Sequence, residues 1–70
     1  MAWDERHAIR LAAQGMWAQR LLRTKLRGVS SELAARVEVL IVEKRAAYET
    51  RNMKRYEEVI QAMIHHARTL

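Results

Sequence analysis

The chain has 70 residues, no Cys, no Pro, two Gly and a formal net charge of +5. That length holds one domain, 1–70, too small to bury a generous core, and chains of this size without disulfides often gain stability by oligomerising. No apolar run approaches the roughly 18 residues of a membrane span. Asp4 and Glu5 stand where a secretion signal would carry positive charge, and the lack of Cys agrees with the expected cytoplasmic location.

Ala, Leu, Arg, Glu, Lys, Gln and Met dominate, all strong helix formers, and the turn-forming residues are nearly absent. An all-α chain with few connections follows. The first predicted helix covers about residues 4–27. At 100° per residue, Ala8, Leu11, Gly15, Ala18, Leu22 and Leu26 fall close to one line, with Leu21 beside it. Gly15 costs a helix interior about 1 kcal/mol relative to Ala. Its place on the apolar seam calls for close approach by another helix. The opposite face carries Ile9, Ala13 and Met16, with Trp17 at its margin, and continues as Arg20, Arg23 and Arg27.

The strong break is Arg27-Gly28-Val29-Ser30-Ser31-Glu32. Gly28 can take the left-handed conformation that ends helices, and Ser30 or Ser31 can cap the next one. Glu32 at a helix start, and Arg23, Lys25 and Arg27 at a helix end, all suit the helix dipole.

The second predicted helix covers about 31–69. Ala35, Val39, Val42, Ala46, Glu49, Met53, Tyr56, Ile60, Met63 and Ala67 follow steps of four and three, a heptad seam of coiled-coil type. A parallel seam of Leu33, Val37, Leu40, Ile41 and Tyr48 requires contacts on two sides, an intrachain partner and a second protomer. Glu49-Thr50-Arg51-Asn52 is the alternative break point, with Thr50 or Asn52 as a cap. Because it lacks Gly and Pro and the heptad phase crosses it, the sequence favours one continuous helix about 57 Å long, against about 36 Å for the first. The overhang would expose Ile60, Met63 and Ile64. The expected architecture is therefore a helical hairpin paired as a homodimeric bundle, with Ala35, Val39, Val42, Ala46, Met53, Tyr56, Ile60 and Met63 as the dimer seam. Trp3 and Tyr48 are expected to pack at the hairpin ends or seams.

The residues do not assemble a reaction. His65 and His66 are adjacent and point about 100° apart, Glu58 lies a full heptad before His65, and His7 is distant. The expectation is no metal, no cofactor and no small-molecule substrate. Ser30 and Ser31 serve as caps and lack a positioned base. Glu57 and Glu58 do not share a face, and no Gly-rich phosphate loop is present. An enzyme is not expected.

Binding is. Residues 1–29 hold six Lys or Arg and two acidic residues, whereas 30–70 hold seven and six. Arg20, Arg23 and Arg27 form a stripe, and Lys44, Arg45, Arg51, Lys54 and Arg55 a looser cluster. Together they are the candidate contacts to duplex RNA or DNA. Glu38, Glu43, Glu49, Glu57 and Glu58 interleave the second group as on an ordinary solvated face. The more specific signal is Ile9, Met16, Trp17 and Arg20, residue types suited to a protein contact or to burial in the homodimer. The leading expectation is a small inhibitor or adaptor that docks a helix face on another, regulatory protein. Size and composition suit an accessory regulator of the kind phages and plasmids encode, which could occlude a host transcription factor. The alternatives are a dimeric nucleic-acid binder and a purely structural or designed bundle.

Overall fold

The computed structural model describes residues 2–28 and 30–70. It is all-helical, with α1 Glu5–Lys25, α2 Ser31–Glu49 and α3 Met53–Thr69. No helix among the described residues is long and apolar enough to cross a membrane.

Local chemistry sets each boundary. Asp4 caps α1, its Oδ1 accepting from the backbone N–H of Arg6 at 3.1 Å and of His7 at 3.3 Å. α1 ends at Leu26, and Gly28 takes φ +77 two residues later. Ser30 caps α2 by accepting from the Glu32 N–H at 3.2 Å. Val29, within the same predicted connection, lies outside the described residues.

The long second helix is corrected. The chain breaks at Thr50–Asn52, the alternative point, and α3 folds back. Thr50 is the C-cap of α2, the Arg51 N–H donates to Tyr48 O at 3.1 Å, and the Asn52 N–H donates to Ala47 O at 2.9 Å. This pair of bonds is the Schellman ending, with Arg51 at φ 56 in the position usually held by Gly. Asn52 then caps α3 by accepting from the Arg55 N–H at 3.1 Å. Two cap residues and one left-handed arginine thus replace the glycine whose absence favours continuity in the sequence.

The helices run up, down and up. His7 meets Glu57, Gly15 meets Ile60 and Lys25 meets Ala67, so α1 and α3 are parallel. Trp3 meets Tyr48 and Gln19 meets Lys44, so α2 runs antiparallel to α1. α3 is the central element and packs on both α1 and α2. Its Met53, Tyr56, Val59, Ile60, Met63 and Ala67 are buried against Ala8, Leu11, Ala18 and Leu22 of α1 and Val37 and Ala47 of α2. Leu33 is half-buried, and Leu40 and Ile41 pack against the same core.

The expected seam is therefore divided. Met53, Tyr56, Ile60 and Met63 serve the chain's own core, while Ala35, Val39, Val42 and Ala46 remain on the surface. No overhanging half of a long helix is left for a second protomer to cover. Folding back does that work within one chain.

Candidate functional site

α1 presents its seam to α3, so residues about 110–150° or more away from it are turned toward solvent. Ile9 is 63% exposed, Met16 57% and Trp17 48%. An indole buries 150–250 Å² when covered, so leaving half of one in water forgoes a large apolar contribution. Trp17 stands between two shallow depressions. One, of about 560 Å³, runs along α1 between Ala13, Met16, Trp17, Arg20, Leu21 and Thr24. The other, of about 510 Å³, lies between α1 and α3, lined by Ala13, Gln14 and Trp17 on one side and Gln61, Ile64 and Arg68 on the other. Ile9, Met16, Trp17 and Arg20 are all exposed residues of this helix. Ile9 lies outside both depressions.

The basic candidates divide. Arg20, Arg23 and Lys44 are brought together, lining a depression of about 260 Å³ with Met16 and Gln19. Lys44 Nζ donates to Gln19 Oε1 at 2.8 Å. Desolvation holds the Lys44 pKa below 10.5, and the positive charges of Arg45 and Arg23 lower it further. Positive charge is therefore crowded here. Arg27 follows the end of α1 and is exposed.

Three other members of the predicted basic set, Arg51, Lys54 and Arg55, are placed elsewhere. Arg55 pairs with Glu43 across the α2–α3 turn and with Glu58 at 3.5 Å. The Arg51 guanidinium carbon lies 4.7 Å from the Tyr48 ring centroid and 5.2 Å from that of Trp3. Lys54 is exposed on α3. Arg51 and Arg55 thus have structural partners, and the compact cationic site consists of Arg20, Arg23 and Lys44 with Arg45 nearby.

Several pairings cannot be read from the sequence, although Trp3 and Tyr48 are each expected to pack at the hairpin ends or seams. Trp3, Tyr48 and Tyr56 form an aromatic cluster, with centroids 5.3 Å, 5.7 Å and 5.6 Å apart, that ties the N-terminal segment to the α2–α3 turn. Lys25 Nζ donates to Ala67 O at 2.7 Å and to Leu70 O at 2.9 Å, so it completes the C-terminus of α3 as well as lying in the last turn of its own helix. His7 Nε2 lies 3.4 Å from Glu57. Each depends on the fold-back of α3, which periodicity could not show.

Among the described residues, no three His, Asp or Glu side chains converge as a metal-ligand set. His65 and His66 lie edge to face, with ring centroids 5.9 Å apart. Comparison with known protein families, with curated proteins and with solved structures finds no match to this chain.

Proposed function

We propose that the chain is a small non-catalytic interaction module, an inhibitor or adaptor that docks the outer face of α1 on another, regulatory protein. The observation that carries this reading is Trp17, half exposed on a rigid helix, with Met16 beside it and Arg20 one turn on. Tryptophan and arginine are enriched among the residues that dominate binding energy, and methionine adapts to irregular partner surfaces. Because Trp17 is absent from the core, its removal separates binding from folding. A photo-crosslinking residue at Ile9 should capture one specific protein from cells, and Trp17→Ala should abolish that capture while leaving the chain folded and its helicity intact. Unchanged capture, or loss of the fold, would overturn the assignment.

A second reading is favoured by the crowding of Arg20, Arg23 and Lys44 around one depression, an arrangement suited to a phosphate backbone. Anisotropy of labelled duplex DNA and duplex RNA at low and near-physiological salt tests it. Tight binding that falls steeply with salt, and is lost on replacing Arg20 and Arg23 with Glu, would put nucleic acid ahead of protein. No binding at either salt would remove it.

A further inference from the structure

α2 carries apolar residues on two opposite faces, which is why it is almost devoid of one-sidedness where α1 and α3 have it. One face, with Val37, Leu40, Ile41 and Ala47, packs on α3. The other consists of Ala35, Val39, Val42 and Ala46, spaced by four, three and four residues. On it Val39 is 55% exposed and Val42 67%. Scattered surface valines need no explanation, but a straight a/d stripe on a helix already anchored by its other face does.

The charges beside the stripe say what fits it. Arg36 and Glu43 lie on one flank, about 80–100° from Ala35 around the helix. Glu38 and Arg45 lie on the other flank. When two such helices are laid antiparallel about a two-fold axis midway between Val39 and Val42, Val39 of one meets Val42 of the other and Ala35 meets Ala46. Arg36 then faces Glu43 and Glu38 faces Arg45, and symmetry repeats each pair. All four inter-helix pairs are of opposite sign. A parallel alignment would instead set Glu38 against Glu43, which repels.

We infer that the outer face of α2 is a self-association surface, on which a second copy of this chain packs antiparallel along Ala35, Val39, Val42 and Ala46. The occupant is matched in shape by a seam of small residues that lets the two backbones approach, and in charge by the flanking pairs. Glu43 can receive Arg36 of the second copy while it holds Arg55, because an ionised carboxylate accepts more than one donor. Arg36 reaches Glu32 at 3.1 Å within its own helix, an exposed pair that costs little to exchange. The contact is about two heptads long, at the small end of stable interfaces, so the dimer is weak and concentration-dependent. No residue of this surface belongs to the α1 face proposed for the protein partner.

Sedimentation velocity from about 1 µM to about 500 µM, a range that brackets weak dimers, provides the test. A monomer–dimer equilibrium is expected for the native chain. Val42→Glu should leave it monomeric with unchanged helicity and melting temperature, since Val42 is outside the core. Glu38→Arg should raise the dissociation constant on the order of tenfold by setting like charges opposite Arg45, and Glu38→Arg with Arg45→Glu should restore it. A native chain that stays monomeric throughout, or a dimer indifferent to Val42→Glu, would overturn the surface. A dimer tightened by Glu38→Arg would overturn the antiparallel arrangement, because it would report the introduced guanidinium facing Glu43.

Discussion

An ideal Cβ built on Gly15 would lie 2.6 Å from Ile60 Cδ1, so the glycine of α1 and the isoleucine of α3 occupy one shared space. Ile60 is fully buried, so its terminal methyl, the flexible end of the side chain, can move aside only by repacking against its neighbours. The same Cβ would be 3.8 Å from the Lys44 side chain, an ordinary contact. The pair marks a close approach of α1 to α3, and it accounts for a glycine in the middle of a helix.

This relationship predicts a sign change in a double-mutant cycle. Gly15→Ala gains about 1 kcal/mol of helix propensity but must displace Ile60, at a cost of about 1–3 kcal/mol for overpacking. The expected net effect is destabilisation by about 1 kcal/mol. With Ile60→Val the offending methyl is gone, and Gly15→Ala should then stabilise. Urea unfolding of the four proteins measures the coupling, and additive effects would mean that the two residues are not in contact.

Arg51 holds a left-handed conformation that costs a side-chain-bearing residue about 1–2 kcal/mol. Its guanidinium recovers part of that through Trp3 and Tyr48, and Nη1 donates to Tyr48 O. Arg51→Ala keeps the backbone cost and loses the stacking, so it should destabilise by about 1 kcal/mol. Arg51→Gly relieves the backbone and loses the same stacking, and should fall within about 0.5 kcal/mol of the native chain. Equal losses for Ala and Gly would show that the backbone conformation at this position carries no strain.

Lys25 joins the ends of two helices through its bonds to Ala67 and Leu70. Lys25→Met keeps the aliphatic stem and removes the charge, so the last turn of α3 should fray. The expected loss is about 1–2 kcal/mol, within the range for hydrogen bonds to a charged group. Hydrogen exchange should quicken at the C-terminal end of α3 and stay unchanged at the α2–α3 turn. Uniform quickening would indicate that Lys25 acts on global stability only.

Stability should also depend on alkaline pH through two groups of opposite effect. Desolvation raises the pKa of Tyr56 above 10.0, and Tyr48 adds to it. The folded state therefore holds this proton more tightly than the unfolded state. That contribution is complete below pH 10 and is lost as pH rises through 10 and past the folded value. Lys44 is shifted down from 10.5, so its ammonium is a penalty on folding, full below the folded pKa and relieved as pH climbs to 10.5. Lys44→Gln should raise the melting temperature at pH 7, with a gain that shrinks toward pH 10.5. In a Tyr48→Phe background the single remaining phenol should ionise with a midpoint above 10.0, read from tyrosinate absorbance. A midpoint at or below 10.0 would place Tyr56 in water.

The helical class is legible in composition, because a chain rich in helix formers and free of Pro leaves little else. α1, with the line Ala8, Leu11, Gly15, Ala18, Leu22 and Leu26, of which all but the partly buried Leu26 are fully buried, and a cap at Ser30 or Ser31 are legible too, since they follow from local periodicity and local hydrogen bonding. The exposure of Ile9, Met16, Trp17 and Arg20 is legible as well, because a face turned away from a complete apolar seam is not needed by the core. The fate of residues 50–52 is settled only in the packed chain. The spacing of Ala46, Met53 and Tyr56 is the same whether the helix continues or turns back, and part of the cost of the left-handed conformation at Arg51 is recovered through Trp3, which the packed chain brings to it. That turn sends Met53, Tyr56, Ile60 and Met63 into the chain's own core and leaves Ala35, Val39, Val42 and Ala46 outside. A heptad pattern specifies which residues share a face. It does not specify what the face meets, because that depends on contacts between segments far apart in the chain.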